Sequence, residues 1–518
     1  MNYLTKTETA ADKKNAGTIA NRAGGRSFML TQKELLDQFL LLGCEGGTYY
    51  AKQQELVESF CQATISLIKV DGPYVVNKIM EISAQGRAPK NDPALFALAL
   101  CASKGNPQTK KMALEALPIV ARIPTHLFLF ASYIKKMRGW GRGLRRAVAN
   151  WYLGMPEDKM AYYSVKYQQR GGWSHKDLLL LSHPQKEKLN PTLRLLLDRQ
   201  PEGELPPIIP AHNMLLENQS SEEVVQILRG YKSLTGQAFP WEGIPTQHLK
   251  FKEVWEEIMP LPATALIRNL GRLTANGYLA PFSKGVDEVC AMLSNDEWLK
   301  KARVHPITIL QALVIYRAGK GDKGSLTWSP VDRIIGVLED AFDRSFSFLE
   351  PTGKKLVIGV DVSGSMGWSG SGSLSPRDIA SVMAMIMARR EPNSQIVCFD
   401  TETYDREIHA RDSFSDVVRK LKFGGGGTNC SLPVKWALDK GVNVDAFLVL
   451  TDSEQWVGQR CDLAIEEYQR KINPNAKLIC LSAEASTIKL TPPNDKRFLF
   501  IAGWDNNIPD IINDFLKS

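Results

Sequence analysis

The sequence predicts a multidomain chain in which an all-α array of helices precedes a doubly wound α/β domain. Three observations support this prediction. The chain has 518 residues, which exceeds the size that one hydrophobic core usually organises. Up to about residue 350 the apolar residues recur with helical period, and no strand-like segment interrupts them. From residue 351 onward, apolar runs of strand length alternate with helical patterns, as in a mostly parallel sheet.

The helices predicted for the first part are short and follow one another closely. They cover residues 54–69, 93–103, 110–122, 125–137, 143–152, 174–182, 222–233 and 264–273. Pro93 lies in the first turn of its helix, and Ser174 with Asp177 has the spacing of a capping box. Many such helices with short connections indicate an α-solenoid or a large helical array. We therefore predict a polar tail over residues 1–27, a helical domain over 28–350 and an α/β domain over 351–518.

The last third of the chain supplies the strands and helices of the predicted sheet. Strands are predicted at residues 356–361, 396–399, 446–450, 477–481 and 497–501. Helices are predicted at residues 377–390, 414–422, 433–438, 462–471 and 509–516. In an open parallel sheet, ligands bind beyond the carboxyl ends of strands whose crossovers diverge. The residues that directly follow each strand are therefore candidate site residues.

One such strand end carries Asp361, Ser363 and Ser365 in an Asp-x-Ser-x-Ser run. A carboxylate and two hydroxyls suit Mg²⁺, which keeps several waters and few protein charges. The same five residues are equally consistent with a polar turn whose serine caps the next helix. Asp452 ends a second apolar strand, and Thr428 follows a run of four glycines. If the two strands are neighbours, two carboxylates and three hydroxyls converge, which favours a divalent-cation site with Mg²⁺ as the expected ion.

The charge of the chain is unevenly distributed. There are 64 Lys and Arg residues against 56 Asp and Glu residues, a net charge of +8. Residues 130–190 alone hold 12 basic and 4 acidic residues, which accounts for most of the excess. Charged residues also form ordinary solvated faces, but this imbalance favours a polyanion partner.

The candidate phosphate contacts lie in this basic segment. Those that stand out by their number and spacing are Lys135, Lys136, Arg138, Arg142, Arg146, Lys166 and Arg170. Arg142 and Arg146 are four residues apart, as are Lys166 and Arg170, which predicts that each pair projects from one helical face. The interleaved aromatic residues could stack on unpaired bases, but a place in the hydrophobic core is the more frequent outcome.

Composition disfavours several other classes of protein. No apolar stretch approaches the roughly 20 residues that span a bilayer, and the polar start lacks a signal-peptide core. We therefore expect a cytoplasmic protein without a membrane partner. The eight cysteines contain no CxxC pair, which indicates reduced thiols rather than disulfides or zinc. The histidines lack HExxH spacing, and the glycine runs at 319–324 and 424–427 do not fit a GxxxxGK[ST] phosphate loop.

The residues of the cation site resemble a known motif. Asp361, Ser363, Ser365, Thr428 and Asp452 are similar to the metal-ion-dependent adhesion site of von Willebrand factor A domains. In that family the site presents a divalent cation whose free coordination position accepts a carboxylate from a partner. The resemblance implies the same role for this site.

Motifs of the first part resemble the TROVE domain of the Ro ribonucleoprotein family. They are RIPTHLF at 122–128, KYQQRGGWSHKDLLLLSH at 166–183, IRNLG at 267–271, LTAN at 273–276 and VHP at 304–306. A TROVE domain followed by an A domain is particular to Ro proteins, so the whole chain resembles a Ro protein of bacterial type. The resemblance implies a ring of HEAT-like helical repeats that the A domain closes.

The same resemblance implies partners. Ro proteins bind noncoding RNA, with Y RNAs on the outer surface and single-stranded ends of misfolded RNAs in the hole of the ring, in RNA quality control or as adaptors. Lys166, Arg170 and His183 match positions implicated in contacting Y RNA. A protein partner such as an exoribonuclease is expected, and DNA is not.

Two other functions stay open at this point. One is a protein-interaction scaffold that uses the cation site, and the other is a metal-dependent nuclease. A nuclease is disfavoured because no general base accompanies the two carboxylates. We therefore predict no catalytic residue and no enzymatic activity.

Overall fold

The computed structural model describes residues 17–43, 53–88, 90–217, 220–302, 304, 306–321, 325–345, 351–368, 375–404, 408, 412, 414–421, 424–482, 484, 486–493, 495–503 and 508–517. By its internal contacts the chain divides into two units. One comprises Met1–Ala63 with Ser345–Ser518 and is called the sheet unit below; the other comprises Thr64–Arg344 and is called the helical unit.

The strands lie at both ends of the chain and in one short hairpin between them. They are β1 (Ile19–Ala20), β2 (Arg26–Met29), β3 (Gln169–Arg170), β4 (Trp173–Ser174), β5 (Leu356–Asp361), β6 (Gln395–Phe399), β7 (Thr403–Tyr404), β8 (Ala446–Thr451), β9 (Lys477–Ser482), β10 (Ile488–Lys489) and β11 (Phe498–Ala502). The main sheet has the order β11-β9-β8-β5-β6-β7, and only the edge strand β7 is antiparallel. Because β6 and β8 flank β5 on opposite sides, the order of the strands reverses at β5.

The helices fill the rest of the described chain. They are α1 (Gln32–Leu42), α2 (Gln53–Gln85), α3 (Asp92–Lys104), α4 (Pro107–Glu115), α5 (Leu117–Val120), α6 (Pro124–Met137), α7 (Arg142–Leu153), α8 (Glu157–Lys166), α9 (His175–Ser182), α10 (Pro191–Leu196), α11 (Ile208–Glu217), α12 (Ser221–Thr235), α13 (Lys252–Ile258), α14 (Ala263–Ala275), α15 (Lys284–Leu293), α16 (Asp296–Lys301), α17 (Pro306–Ala318), α18 (Asp332–Arg344), α19 (Pro376–Arg390), α20 (Phe414–Lys420), α21 (Leu432–Asp439), α22 (Cys461–Lys471) and α23 (Ile508–Lys517). Single 3₁₀ turns occur at Lys186–Lys188, Trp241–Gly243, Thr246–His248 and Ser365–Gly367.

The sheet unit confirms the predicted doubly wound α/β domain. Every residue of β5 and β8 is buried, as expected of parallel strands that are covered on both faces. At Gly359 in β5 there is no room for a side chain, because α21 packs directly on the strand. A Cβ atom there would come 2.4 Å from Cγ of Pro433. The apolar runs of the sequence therefore correspond to the central strands, and helices cover both faces.

The helical unit confirms the predicted all-α region, since its described residues contain only the two-residue strands β3 and β4 besides helices. Neighbouring helices pack on one another along the chain: α3 on α4 and α6, α7 on α4 and α9, α11 on α8 and α12, and α17 on α14 and α18. This neighbour-to-neighbour packing is typical of helical arrays. The capping box at Ser174 and Asp177 is present at the start of α9. Within the described ranges, no helix is both long and apolar enough to cross a membrane.

One predicted helix is divided in the structure, and another is followed by a helix that was not predicted. The helix predicted at 54–69 agrees with the first part of α2, which is interrupted at the non-helical Asp71 (φ −147°, ψ 70°), and the second part of α2, up to Gln85, was not predicted. The helix predicted at 110–122 is divided at Ala116 into α4 and α5. Pro118 explains the division, because it lacks the N–H that would continue the hydrogen-bond ladder. The apolar pattern continues without interruption across a proline that starts a second helix. Periodicity alone therefore did not separate α4 from α5.

The boundaries of the units differ from the predicted domain limits at the N-terminal end. The prediction assigns residues 28–63 to the helical domain and residues 1–27 to a tail. In the structure β2 pairs with β10 in the sheet unit, and Lys489, which is buried, forms an ion pair with Glu34 of α1. Pairing between segments more than 400 residues apart leaves no local signature in the sequence. The described N-terminal residues are therefore part of the sheet unit.

Candidate metal centre and nucleic-acid interface

The two carboxylates predicted for the cation site lie at the ends of neighbouring strands. Asp361 ends β5 and Asp452 directly follows β8, and these strands pair in parallel with Val360 opposite Leu450. Both side chains are buried. They thus lie at the carboxyl edge of the sheet, where the strand order reverses and where open α/β sheets bind ligands. The structure brings them together as the sequence predicted.

Hydrogen bonds from the loop after β5 and from β8 hold the Asp361 carboxylate. The Ser363 backbone N–H donates to Oδ1 at 2.9 Å, and the Thr451 hydroxyl donates to Oδ2 at 2.6 Å. Ser363 Oγ lies 3.4 Å from Ser365 Oγ, and both serines are buried. Arg377 fixes the loop from the other side, since its Nη2 donates to the carbonyl oxygens of Val362 and Ser363 at 3.0 and 2.9 Å. Thr451 and Arg377 were not predicted as site residues.

Thr428 is brought to the same place by the glycine run before it. Gly364 N–H donates to the Gly426 carbonyl oxygen at 3.3 Å, which joins the two loops directly. Asp400, just after β6, accepts the Gly426 N–H at 3.1 Å through its carboxylate. Its backbone carbonyl accepts the Asn429 N–H at 2.9 Å. Asp400 therefore positions Thr428 from a third strand end, a role that the sequence analysis missed although the residue follows a predicted strand.

The close contacts of this loop explain its glycines. Gly424 has a φ of +82°, and a Cβ atom there would lie 2.7 Å from the Val362 carbonyl oxygen. A Cβ atom at Gly427 would lie 2.4 Å from the ring of Trp456. Side chains at these positions would push the loop away from Asp361. The glycines thus allow close backbone approach within a site built from side-chain oxygens.

The polar atoms of this centre fit a divalent cation. Thr428 Oγ1 and Asp452 Oδ2 are buried and have no hydrogen-bond partner among the described residues. Burial and the negative charge of Asp452 raise the pKa of Asp361 to about 7, and burial also raises the pKa of Asp452. Two buried carboxylates close together are unfavourable even with the Arg377 guanidinium nearby, and a bound cation would relieve this. The described residues contain no cluster of three or more His, Cys, Asp or Glu suited to a metal, so hydroxyl oxygens would have to complete the ligand set.

A third carboxylate, Glu454, lies beside the centre. Burial and the charge of Asp452 raise its pKa to about 7, although Arg22 and the backbone N–H groups of residues 22 and 23 act in the opposite direction. The turn between β1 and β2 therefore meets the segment after β8. Asn21 strengthens this contact, since its amide donates to the carbonyl oxygen of Gln455. Neither Glu454 nor the N-terminal segment was predicted to take part in this site.

The basic surface predicted in the helical unit is exposed for the most part. Its exposed members are Lys135, Lys136, Arg142, Arg146, Arg170 and His183. Lys135 and Lys136 end α6, Arg142 and Arg146 lie in the first turns of α7, and Arg170 lies in the β3–β4 hairpin, which contacts α6. Among the described residues, none of these six side chains has a carboxylate within ion-pair distance. They are thus available to a polyanion.

Aromatic side chains support this surface from below. The Lys135 ammonium lies 5.2 Å from the ring centroid of Trp173, and the rings of Trp173 and Trp140 are 5.9 Å apart. Trp173 is buried. The hairpin residue therefore packs on the end of α6 rather than offering its face to a base, as the preferred interpretation of the aromatic residues predicted.

Arg138 and Lys166 differ from the other predicted cations. Arg138 is partly buried, and its Nη1 donates to the Ala102 carbonyl oxygen at 2.8 Å, so it ties α6 to α3. The Lys166 side chain is only 10% exposed and lies 3.6 Å from Oε1 of Glu242. Moreover, α8 ends at Lys166, while Arg170 belongs to β3. The prediction that Lys166 and Arg170 share one helical face is wrong, because the chain turns between them.

His183 directly follows α9, whose last residue is Ser182, as the predicted helix at 174–182 implies. It caps α9 with a left-handed backbone, φ 49° and ψ 60°, and its N–H donates to the Leu179 carbonyl oxygen at 3.2 Å. Its imidazole is exposed. Lys176, one helix length before it, forms an ion pair with Asp198. Unlike Lys176, His183 therefore faces solvent without a charged partner among the described residues.

Comparison with known proteins settles the family. A model of the TROVE domain matches residues 19–199 and 235–315, and a model of the Ro60 vWA domain matches residues 355–516. The chain belongs to the Ro60 family. The TROVE match includes the N-terminal strands that pack in the sheet unit, so the sequence domain and the packing unit do not coincide in this Ro60-family chain.

Relatives are similar over their whole length. The RNA-binding protein RO60 of Deinococcus radiodurans is 32% identical, over 100% of this chain and 98% of the relative. The RNA-binding protein RO60 of Caenorhabditis elegans is 30% identical, over 99% of this chain and 92% of the relative. The crystal structure of the Deinococcus radiodurans RO (RSR) protein has a TM-score of 0.73 and 33% identity, and covers 94% of this chain and 99% of that one. The order of a helical region followed by an A domain is thus that of the Ro60 family.

Proposed function

We propose that this Ro60-family chain is an RNA-binding protein without enzymatic activity. The observation that supports this most directly is the group of exposed, carboxylate-free cations on α6, α7 and the β3–β4 hairpin. Such a group binds phosphates and releases counterions, whatever the base sequence. The names of the two relatives state RNA binding for those proteins and agree with this proposal.

The finer proposal concerns which RNAs bind. Small Y-like noncoding RNAs contact the basic surface, where Arg170 and His183 meet phosphates. Single-stranded ends of misfolded or decaying RNAs occupy the hole of the ring that the family resemblance implies. The protein then acts in the cytoplasm in RNA quality control or as an adaptor for a protein such as an exoribonuclease. Arg138 and Lys166 contribute less to phosphate binding than the exposed cations, because each already has a partner within the protein.

The salt dependence of RNA affinity tests the phosphate contacts. The double variant Arg142→Ala with Arg146→Ala removes two exposed cations from one face of α7. We expect weaker binding of RNA and a flatter slope of log K against log salt. The slope should fall by roughly 0.7 for each phosphate of a single strand that the variant leaves without a counter-charge. The measurement is a fluorescence-anisotropy titration at several salt concentrations.

A charge-matched variant serves as the control. Lys284→Ala with Lys301→Ala removes two exposed lysines of α15 and α16 and lowers the net charge by the same amount. We expect this control to leave affinity and slope near the wild-type values. If the two double variants behave alike, net charge rather than a defined surface governs binding, and the assignment of α7 is wrong.

We propose that the second centre, at the ends of β5 and β8, holds a divalent cation, with Mg²⁺ the expected ion. Asp361, Ser363, Ser365, Thr428 and Asp452 would hold it. A cation held by two carboxylates and neutral oxygens supplies a Lewis-acidic position for an acidic group of a protein partner. The buried Thr428 Oγ1 and Asp452 Oδ2 without partners favour this role.

Calorimetric titration with MgCl₂ tests the centre. Asp361→Ala should abolish binding of one ion per chain. Asp445→Asn is the matched control, because Asp445 precedes the same strand β8 at its opposite end, where its carboxylate accepts the Lys355 N–H. Unchanged Mg²⁺ binding in Asp361→Ala would reject the centre.

Incubation of labelled RNA with Mg²⁺ or Mn²⁺ tests the absence of enzymatic activity. We expect intact RNA. Metal-dependent cleavage that disappears in Asp361→Ala would instead establish a nuclease at this centre.

A further inference from the structure

A cavity of about 310 Å³ lies in the helical unit beside the end of α8. Its size is at the lower end of the range of about 300–1,000 Å³ that is usual for small-molecule pockets. Its walls come from α8, from the segment 237–242 and from the proline-rich segment 258–262. The residues that matter for its chemistry are Tyr162, Lys166, Trp241 and Glu242.

The cavity contains a charged pair. Lys166 Nζ lies 3.6 Å from Glu242 Oε1 and donates to the Tyr162 hydroxyl at 3.3 Å. The rings of Tyr162 and Tyr167 lie 5.4 Å from the same ammonium. Lys166 is thus held in place between aromatic rings and a carboxylate, and it lines the cavity.

Two residues that line the cavity each have a polar atom without a hydrogen-bond partner. Glu242 Oε2 and Trp241 Nε1 are buried, and neither has a hydrogen-bond partner within the described residues. An unsatisfied buried carboxylate oxygen and an unsatisfied indole N–H are costly, and a bound ligand that pairs with them would remove this cost. Glu242 thus supplies an acceptor beside the Lys166 ammonium, and Trp241 supplies a further N–H donor among the residues that line the cavity.

Contacts between aromatic rings hold the wall of the cavity in place. The Trp241 indole packs against Trp255 with ring centroids 6.2 Å apart, and the Arg272 guanidinium lies 5.7 Å from the Trp241 ring. Phe239 packs edge-on against Tyr231 at 5.2 Å. An aromatic wall fixed in this way can bind a planar ring without losing side-chain entropy on binding.

We propose that this cavity binds a single guanine base, with Glu242 and Lys166 contacting its Watson–Crick edge and the aromatic wall contacting its face. Guanine is the nucleobase that presents two adjacent N–H donors next to a carbonyl acceptor. The Glu242 carboxylate accepts from N1–H and from the N2 amino group, and Lys166 donates to O6. Adenine, cytosine and uracil each lack the pair of adjacent donors. Recognition of an unstacked base by its edge and by aromatic stacking is the usual mode for single-stranded RNA.

The guanine arises either from an unpaired nucleotide of a bound RNA or from a free guanine nucleotide. The RNA source rests on the proposed function. With RNA as the source, the base enters the cavity beside Lys166, which is a poor phosphate contact. The neighbouring phosphate then contacts the exposed Arg170 of the β3–β4 hairpin, four residues later in the chain.

The test uses the full-length chain with short oligouridine RNAs that carry guanosine, inosine, adenosine or uridine at one central position. Inosine lacks only the N2 amino group. We expect guanosine to raise affinity about tenfold over inosine, as for one hydrogen bond to a charged group. Glu242→Gln should remove this preference without weakening the binding of the all-uridine RNA.

A second variant keeps the proposal testable if Glu242→Gln fails to fold. Trp241→Phe keeps the aromatic wall and removes Nε1–H. It should weaken binding of the guanosine RNA and keep part of the preference over inosine. Titrations of GMP, IMP and AMP alone distinguish the two sources. GMP binding that Glu242→Gln abolishes, without any RNA binding, would support the cavity as a nucleotide site and reject the proposed RNA function.

Equal affinity of the wild-type chain for guanosine and inosine RNAs, with no binding of GMP, would overturn the guanine site. The all-uridine RNA would still report whether the chain binds RNA at all. A photo-crosslink from 6-thioguanosine should map to segment 237–242 or to α8, and a crosslink confined to other segments would also overturn the proposal.

Discussion

The two candidate sites of this chain are built in opposite ways. The centre at the ends of β5 and β8 consists of buried oxygens, which backbone hydrogen bonds and glycine contacts hold in place. The surface on α6, α7 and the β3–β4 hairpin consists of exposed cations that are free of carboxylates among the described residues. The first can therefore be recognised by polar atoms that the protein leaves unsatisfied, and the second by charges that it leaves uncompensated.

This difference predicts how each region responds to change. A buried centre depends on the packing of its loops, so a single methyl group can disturb it. An exposed surface tolerates substitutions and depends on the number of charges. The following predictions begin with the largest expected effect.

Gly25→Ala should have the largest effect on stability. A Cβ atom at Gly25 would lie 2.0 Å from the Gln455 carbonyl oxygen and 2.7 Å from the Trp456 Cα, and backbone atoms cannot rotate away. We expect a loss of about 3 kcal/mol in the sheet unit or detachment of the β1–β2 hairpin. Urea denaturation with proteolysis of the N-terminal segment measures both. Gly336→Ala in α18, where a Cβ atom has no neighbour within 4 Å, is the control and should be neutral or stabilising.

The helical unit should lose stability in acid. Burial lowers the pKa of His175 and of His126 to about 4, below the value of about 6.5 in an unfolded chain. The unfolded state then binds more protons, so the stability contributed by each neutral ring is present above pH 6.5 and decreases as pH falls toward 4. The decrease at pH 5 is about 2 kcal/mol for each histidine.

Substitution of one histidine separates this effect from general acid denaturation. His175→Phe removes a titrating ring that meets Phe128 edge-on at 5.1 Å, and it should flatten the pH dependence of unfolding between pH 6.5 and 4. His183→Ala, which removes an exposed ring, should leave that dependence as in the wild type. Parallel pH profiles for all three proteins would contradict the prediction.

A capping box of the same kind occurs in each unit, and we expect the two to contribute differently to stability. Ser174 begins α9 and is partly exposed, whereas Ser375 begins α19 and is buried. We expect Ser174→Ala to cost about 1 kcal/mol, a typical value for an N-cap. Ser375→Ala should cost more, because water cannot replace the missing partner of the Asp378 N–H. Equal midpoint shifts in urea would show that burial does not decide the value of this cap.

The smallest effect is expected when a change in the metal centre is tested for its influence on RNA affinity. Asp361→Ala should change RNA affinity by less than about twofold, since the cations that we propose bind RNA all lie in the helical unit. Anisotropy titration of the folded variant measures this. A tenfold decrease of RNA affinity without misfolding would show that the two sites are energetically coupled.

The sequence and the structure agree best where the chemistry is local. Asp361 and Asp452 each adjoin an apolar strand in the chain. The pattern of an apolar run followed by an acid is therefore sufficient to predict a site at a strand end. Thr428 was also predicted. Its placement by Asp400, and the role of Arg377 beneath the Asp361 loop, were missed because they depend on contacts between segments that are distant in the chain.

The basic segment shows the limit of spacing arguments. Residues four apart share a face only while the helix persists, and α8 ends at Lys166, so Arg170 projects from a hairpin instead. The pairing of Lys166 with Glu242, 76 positions later, then buries a charge that composition alone counts as free. Net charge is a sum over residues, whereas the charge available to RNA depends on which residues are paired.

By itself the sequence determined the helical and α/β regions of the chain, the family motifs, the strand-end acids and the excess of positive charge, because each follows from periodicity or composition within a short window. Only the tertiary structure decided that β2 joins β10, that Asp400 and the glycine loop deliver Thr428 to Asp361, and that Lys166 lies in a cavity beside Trp241. Those arrangements depend on packing between segments that the sequence separates by tens to hundreds of residues, and the free energy of such contacts leaves no trace in any local pattern.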